Sequence, residues 1–200
     1  ALLCVGMSLT AACGGGDDSA GGDDNTLTWW HNSNNEPGKG YYEQVADWMQ
    51  RASSDRIHVD GASIDVGDTR ITICPWWDGP LSRQAVADQL AAAAVDRPAR
   101  WIWLYHAPPA GTVLCRDGRR EFPDHELAAW IAEHSPDIVL CGHIHQAPWV
   151  EGGSWYARLG DTWVFNAGKQ LGPVPPHITI DTEAGTADWF GVFENDAIEL

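Results

Sequence analysis

Residues 137–145 read DIVLCGHIH. A four-residue apolar run after an aspartate, closed by a glycine, is the pattern of a short buried strand that ends in a turn. The strand delivers two histidines, His143 and His145, at positions i and i+2. On an extended chain their rings would point the same way, and on a helix they would stand about 200° apart. A glycine turn at the strand end allows a third arrangement, with both rings aimed into one cleft.

The neighbouring sequence repeats this grammar. Upstream, RWIWLYHAPP at 100–109 is a nearly continuous apolar run that ends at His106 and a double proline, as a central strand does. Between the two runs, FPDHELAAWIAEHSP at 122–136 opens with Pro and Asp, places Leu127, Trp130 and Ile131 on one helical face, and stops before Pro136. Before them, RIHVDGASIDVGDTRITICP supplies short β-branched strands ended by Pro75, and LSRQAVADQLAAAAVD an alanine-rich helix with Leu81, Val86 and Leu90 facing a sheet. After residue 145 the chain alternates short strands and turns: SWYARLG, TWVFNAG, HITID and ADWFGVF. The order predicts a layered α/β domain with loops at the strand ends forming the site.

Composition narrows the function. The chain has 200 residues, an apolar fraction of 44% and a formal charge of −16. That apolar share builds a core, and the acidity argues against a nucleic-acid backbone or an anionic membrane surface as partner. An acidic protein still binds phosphate esters when a metal ion supplies the positive charge. Twelve tryptophans point to a large buried aromatic area.

Residues 1–38 differ from the rest. ALLCVGMSLTAAC is too short to span a bilayer as a helix, and it fits the apolar region of a signal peptide. LTAAC resembles a bacterial lipoprotein processing site with Cys13 as the lipidated residue, which would make a lipid anchor at Cys13 the one membrane link. GGGDDSAGGDDN then reads as a flexible Gly/Asp tether, and residues 1–38 as a whole are expected not to pack on the domain. Residues 39–54 carry a helix, with Tyr41, Tyr42, Val45, Trp48 and Met49 at helical spacing. The stretch from Leu2 to Trp48, with its TWW strand, resembles the start of a solute-binding lipoprotein of a sugar-type ABC transporter. A seam is expected between Asp47 and Arg56, with the main domain at 55–200.

His106, His143 and His145 are the candidate metal ligands, because imidazoles at adjacent strand ends converge and suit zinc, iron or manganese. His58, His125, His134 and His177 read as structural. The ordered blocks WLYHAPP, PDIVLCGHIH and TWVFNAG resemble the last blocks of the calcineurin-like metallophosphoesterase family. The resemblance implies the back half of a layered α/β metallophosphoesterase sandwich, preceded by a flexible leader. It also implies a binuclear centre of Mn, Fe or Zn in which His106 and His143 hold the second ion and His145 the first. Asn166 and Gly168 match a structural turn. The family's Asp-x-His pair, its bridging Gly-Asp aspartate and its Gly-Asn-His block have no counterpart here. The expectation is therefore one ion, and a weakened hydrolysis of a small phosphomono- or diester by metal-activated water.

Three cysteines outside the leader, Cys74, Cys115 and Cys141, are too few and too buried in prospect for a disulfide framework. The domain thus suits a reducing cytoplasm, whereas the leader addresses a lipid-anchored, exported bacterial protein. CPWWDGP at 74–80 offers Trp76, Trp77 and Asp78 as substrate contacts, with Trp149 and Trp155 after the GHIH block; core filling is the competing role for these tryptophans. RDGRRE at 116–121 offers Arg116, Arg119 and Arg120 either to a phosphate or to solvent. Beside the phosphoesterase reading stand a solute-binding lipoprotein fragment and a noncatalytic fusion or truncation product.

Overall fold

A computed structural model describes residues 3–5, 60–171 and 174–200. Cys13, the helix expected at 39–54, the seam and His58 lie outside the described residues. The strands are β1 (Leu3–Val5), β2 (Ser63–Val66), β3 (Thr69–Ile73), β4 (Arg100–Leu104), β5 (Ile138–Cys141), β6 (Tyr156–Leu159), β7 (Thr162–Asn166), β8 (His177–Asp181), β9 (Thr186–Phe190) and β10 (Asn195–Glu199). Two α-helices, α1 (Pro80–Ala94) and α2 (His125–His134), and a 3₁₀ turn at Val113–Cys115 complete the described elements. The content is mixed α/β.

Six strands form one mixed sheet in the order β2-β3-β4-β5-β7-β6. Its four central strands run parallel, and the edge strands β2 and β6 are antiparallel to their neighbours. The register aligns Leu104 with Leu140 and Cys141 with Asn166, so the C-terminal ends of β4, β5 and β7 lie side by side. The expected adjacency of the two histidine-bearing strands is therefore present. The second sheet has the order β1-β8-β9-β10, all antiparallel.

Alternation along the strands divides the core in two, because successive side chains point to opposite faces. Trp101, Trp103, Val139, Cys141 and Val164 point to one face and pack with Val86 and Leu90 of α1 and Leu127, Trp130 and Ile131 of α2. Ile102, Ile138, Leu140 and Phe165 point to the other and pack with Ile178, Ile180, Ala187 and Trp189 of the second sheet. Each strand buried on both faces reads as a continuous apolar run, which is why RWIWL and IVLC carry no polar residue between Trp101 and Leu104 or within 138–141.

Local chemistry sets the helix starts. Pro80 occupies the first turn of α1, and Ser82 Oγ accepts from the Gly79 N–H at 3.1 Å and donates to Asp78 Oδ1 at 3.0 Å. In α2, Asp124 Oδ1 accepts from the Leu127 N–H at 2.8 Å, and Ser135 ends the helix in the left-handed conformation, φ 49°.

Three expectations change. Leu81 is 89% exposed rather than facing the sheet: it lies five residues from Val86, about 140° around the helix. Strand β10 was not expected, since NDAIE is mostly exposed and lacks a burial pattern; pairing with β9 forms it instead. Leu3–Val5, assigned to a leader not packed on the domain, pairs antiparallel with Ile178–Ile180. A strand with one side unpaired offers a row of backbone donors and acceptors, and an apolar tripeptide can fill it.

Candidate functional site

The ends of parallel strands collect the polar and aromatic side chains. After β3 come Trp76 and Trp77, after β4 Tyr105 and His106, after β5 the GHIH turn, and at the end of β7 Asn166. Neighbouring residues divide inward and outward roles. Trp77 Nε1 donates to the Tyr105 hydroxyl at 2.6 Å, and that hydroxyl donates to Asp124 Oδ2 at 2.8 Å. This chain joins the loop after β3, the end of β4 and the cap of α2. Burial, then the Asp124 charge, raises the Tyr105 pKa, so the phenol stays protonated and keeps donating. With Trp77 and Tyr105 anchored inward, Trp76 and His106 are left at the surface of the strand ends.

His106 and His143 meet there. Nε2 of His106 and Nδ1 of His143 stand 2.9 Å apart and share a hydrogen bond whose direction follows the tautomer. The backbone brings them together: the Gly142 N–H donates to the His106 carbonyl at 3.0 Å, tying the ends of β4 and β5. The Ile144 N–H then donates to the Gly142 carbonyl at 2.7 Å, closing a γ-turn with His143 at its apex and φ 63°. Such a turn is strained for a residue with a side chain, and strain of this kind collects at sites that need a fixed side-chain direction. Ile144 is buried between two exposed histidines, and the His145 carbonyl accepts from the Lys169 N–H at 3.0 Å.

Asn166 holds this turn from below. It is 2% exposed, donates through Nδ2 to the carbonyls of Gly142 (3.2 Å) and Ile144 (3.0 Å), and accepts from the Gly168 N–H at 2.9 Å through Oδ1. Gly168 takes φ 71°, and a Cβ there would stand 2.5 Å from the Trp149 ring. The Asn-x-Gly turn thus has the structural role expected of it.

The electrostatics favour neutral imidazoles. Burial first, then His143 and His145, lowers the pKa of His106. Burial, then Lys169 and His143, lowers that of His145. Neutral imidazole is the ligating form. Two nitrogens bound to one tetrahedral zinc stand about 3.3 Å apart, so a small opening of the His106–His143 pair would admit an ion. Among the described residues, however, no group of three or more His, Cys, Asp or Glu side chains is arranged to hold a metal. The close donors of this cluster are therefore the two imidazole nitrogens of His106 and His143, with His145 adjacent in the turn.

The aromatic surround is specific. Trp76 is 45% exposed, meets His106 edge to face with ring centroids 4.7 Å apart, and lies 6.3 Å from His143. Phe122, which sequence reasoning missed because nothing in its neighbourhood signals a site, is 40% exposed and lies 6.4 Å from His143, edge on. Trp77 belongs to the core and Asp78 to the start of α1, so of the three expected substrate contacts only Trp76 borders the histidines. Trp155 is buried in the second core cluster with Nε1 donating to Asp196, and Trp149 packs there against Trp189. His134 lies beside Trp101 and Trp103, and His177 stacks on Phe190, the structural roles expected of them. Cys74, Cys115 and Cys141 are buried free thiols.

A cavity of about 590 Å³ lies elsewhere, between the two sheets, lined by Ile71, Ile102, Leu140, Phe165, Ile178 and Ile180 among others. Arg100 at its edge is already held by the Thr182 carbonyl at 2.8 Å, and no histidine reaches it. Its lining also carries Asp68, Thr69, Thr182 and Glu183, and none of the strand-end histidines.

No protein-family model matches the chain, and no curated protein matches it. Solved structures match the chain, among them the following two. One crystal structure gives a TM-score of 0.50 at 14% identity, over 78% of this chain and 59% of its own; this chain thus spans about three fifths of that structure. The crystal structure of TT1561 of Thermus thermophilus gives a TM-score of 0.46 at 16% identity, over 82% of this chain and 68% of its own. At 14% identity the first likeness is one of fold alone.

Proposed function

We propose that this chain carries the metal-binding strand ends of a phosphoesterase of the calcineurin-like type, with the layered sandwich architecture of that family. The supporting observation is the convergence of His106 and His143 to 2.9 Å at the aligned ends of β4 and β5. Asn166 supports it by fastening the GHIH turn from β7.

In this reading His106 and His143 hold one Zn, Mn or Fe ion, and His145 approaches from the same turn. When bound, such an ion supplies Lewis acidity toward a phosphoryl oxygen and acidifies water. The chain's own residues do the rest. Burial lowers the pKa of His106 and so favours its neutral ring, the γ-turn fixes the direction of His143, and Trp76 screens His106 from solvent. The family's bridging aspartate and leaving-group histidine have no counterpart among the motifs of this sequence, so hydrolysis is weak.

The test is hydrolysis of chromogenic phosphomono- and diesters by the full chain with zinc or manganese, alongside His106→Ala. The expected outcome is slow, metal-dependent turnover that His106→Ala abolishes. Turnover that persists after chelation, or that is indifferent to His106→Ala, refutes the assignment. Rapid turnover with two ions per chain refutes the single-ion site. The lipoprotein reading rests on residues outside those described.

A further inference from the structure

Residues 115–122 form a tight hairpin. The Phe122 N–H donates to the Cys115 carbonyl at 2.8 Å, Arg116 bridges Glu121, and the Asp117 N–H donates to the Arg120 carbonyl at 3.1 Å. Gly118, at the first central position, has φ 90°, the positive value that hairpin turns of the primed types require. Asp117 Oδ1 also accepts from the backbone N–H groups of Arg119 and Arg120, at 2.8 and 2.7 Å. The tip is therefore a fixed turn that holds two adjacent arginines.

Two contacts dock the hairpin on the histidine loop. Phe122 meets His143, and a Cβ on Gly118 would stand 3.0 Å from Val150, just beyond the GHIH turn. Arg120 is two residues from Phe122, a span of at most about 7 Å. Arg116 is committed to Glu121 at 3.0 Å. Among the described residues, the Arg119 and Arg120 guanidinium groups have no hydrogen bond or ion pair, and both residues are exposed. In a chain of formal charge −16, two adjacent exposed guanidinium groups, on a hairpin that also carries Phe122 against His143, are a local source of positive charge. Guanidinium matches the oxygen geometry of phosphate.

We infer that the Arg119–Arg120 turn is the phosphate-recognition arm of this site, and that Trp76 and Phe122, both beside His143, select an aryl phosphate over an alkyl one. The inference rests on the phosphoester reading and deepens it. The half-exposed rings of Trp76 and Phe122 supply the apolar area that a planar aryl group would cover. The arginines bind the anion irrespective of the organic group, and the rings discriminate between organic groups. The two functions are thus separable by mutation.

The experiment measures dissociation constants of phenyl phosphate and methyl phosphate for the zinc-loaded full chain by calorimetry. Wild type is expected to prefer phenyl phosphate by about fivefold. Arg119→Gln/Arg120→Gln should weaken both ligands by about tenfold without changing thermal melting, since both side chains are exposed. Trp76→Ala and Phe122→Ala should each lower the phenyl-to-methyl affinity ratio toward one. The inference is overturned if the double variant binds phenyl phosphate as wild type does, or if wild type binds the two ligands equally. If wild type holds zinc yet binds neither phosphate, the phosphoester reading falls with it.

Discussion

His106 Nε2 and His143 Nδ1 are 2.9 Å apart although 37 positions separate the residues in the chain. The closure depends on parallel pairing of β4 with β5 in a register that sets Leu104 beside Leu140, two and three residues before the histidines. The one-residue difference is absorbed by the γ-turn at His143. Function in this reading therefore hangs on strand register and on one strained turn.

Zinc titration should report the pair directly. Wild type is expected to bind about one equivalent, and His143→Ala to weaken binding by at least about tenfold, because one of two close nitrogen ligands is lost. Unchanged affinity in His143→Ala would exclude the pair as the metal site.

Asn166→Ala should damage the site without touching a ligand. The substitution removes the donors to the Gly142 and Ile144 carbonyls and the acceptor for the Gly168 N–H. Leaving such buried groups unpaired costs about 1–3 kcal/mol. Urea unfolding should show that loss, and zinc affinity should fall with it as the turn relaxes. A stable variant with native zinc affinity would mean that Asn166 does not hold the turn.

A buried hydrogen bond elsewhere in the sheet gives a test of the fold itself. Trp101 Nε1 donates to Thr72 Oγ1 at 2.9 Å, and both side chains are fully buried. Thr72→Val preserves shape but orphans the indole N–H, so stability should drop by about 1–3 kcal/mol in denaturant unfolding. A neutral result would show that the neighbouring strands do not pack in this register.

The thiol of Cys74 makes stability pH-dependent on the alkaline side. Burial, reinforced by Asp60, pushes its pKa from the ordinary thiol value of 9.0 up to about 12. The folded state thus holds its proton where the unfolded state has lost it. The associated stability is full below about pH 9 and is lost as pH rises toward 12. The urea midpoint should decline over that window, and decline less in Cys74→Ala. An equal decline in both proteins would remove Cys74 as a cause.

Much of this molecule is set by local sequence. Apolar runs closed by Gly or Pro specify the strands that carry the histidines, and the period of Leu127, Trp130 and Ile131 specifies the buried face of α2, because burial must repeat with the geometry of the element. The exposed strand β10 and the apolar Leu81 escaped that logic: neither carries a burial pattern that matches its position. Which residues of the candidate site face one another was decided only by tertiary structure. Trp77 turns inward to Tyr105 and Asp78 to Ser82, while Trp76, adjacent to Trp77, turns to His106. Phe122 reaches His143 from a hairpin fixed by hydrogen bonds among Cys115, Asp117 and Arg120. Side-chain direction at strand ends depends on register, turns and long-range hydrogen bonds, and no periodicity along the chain encodes these.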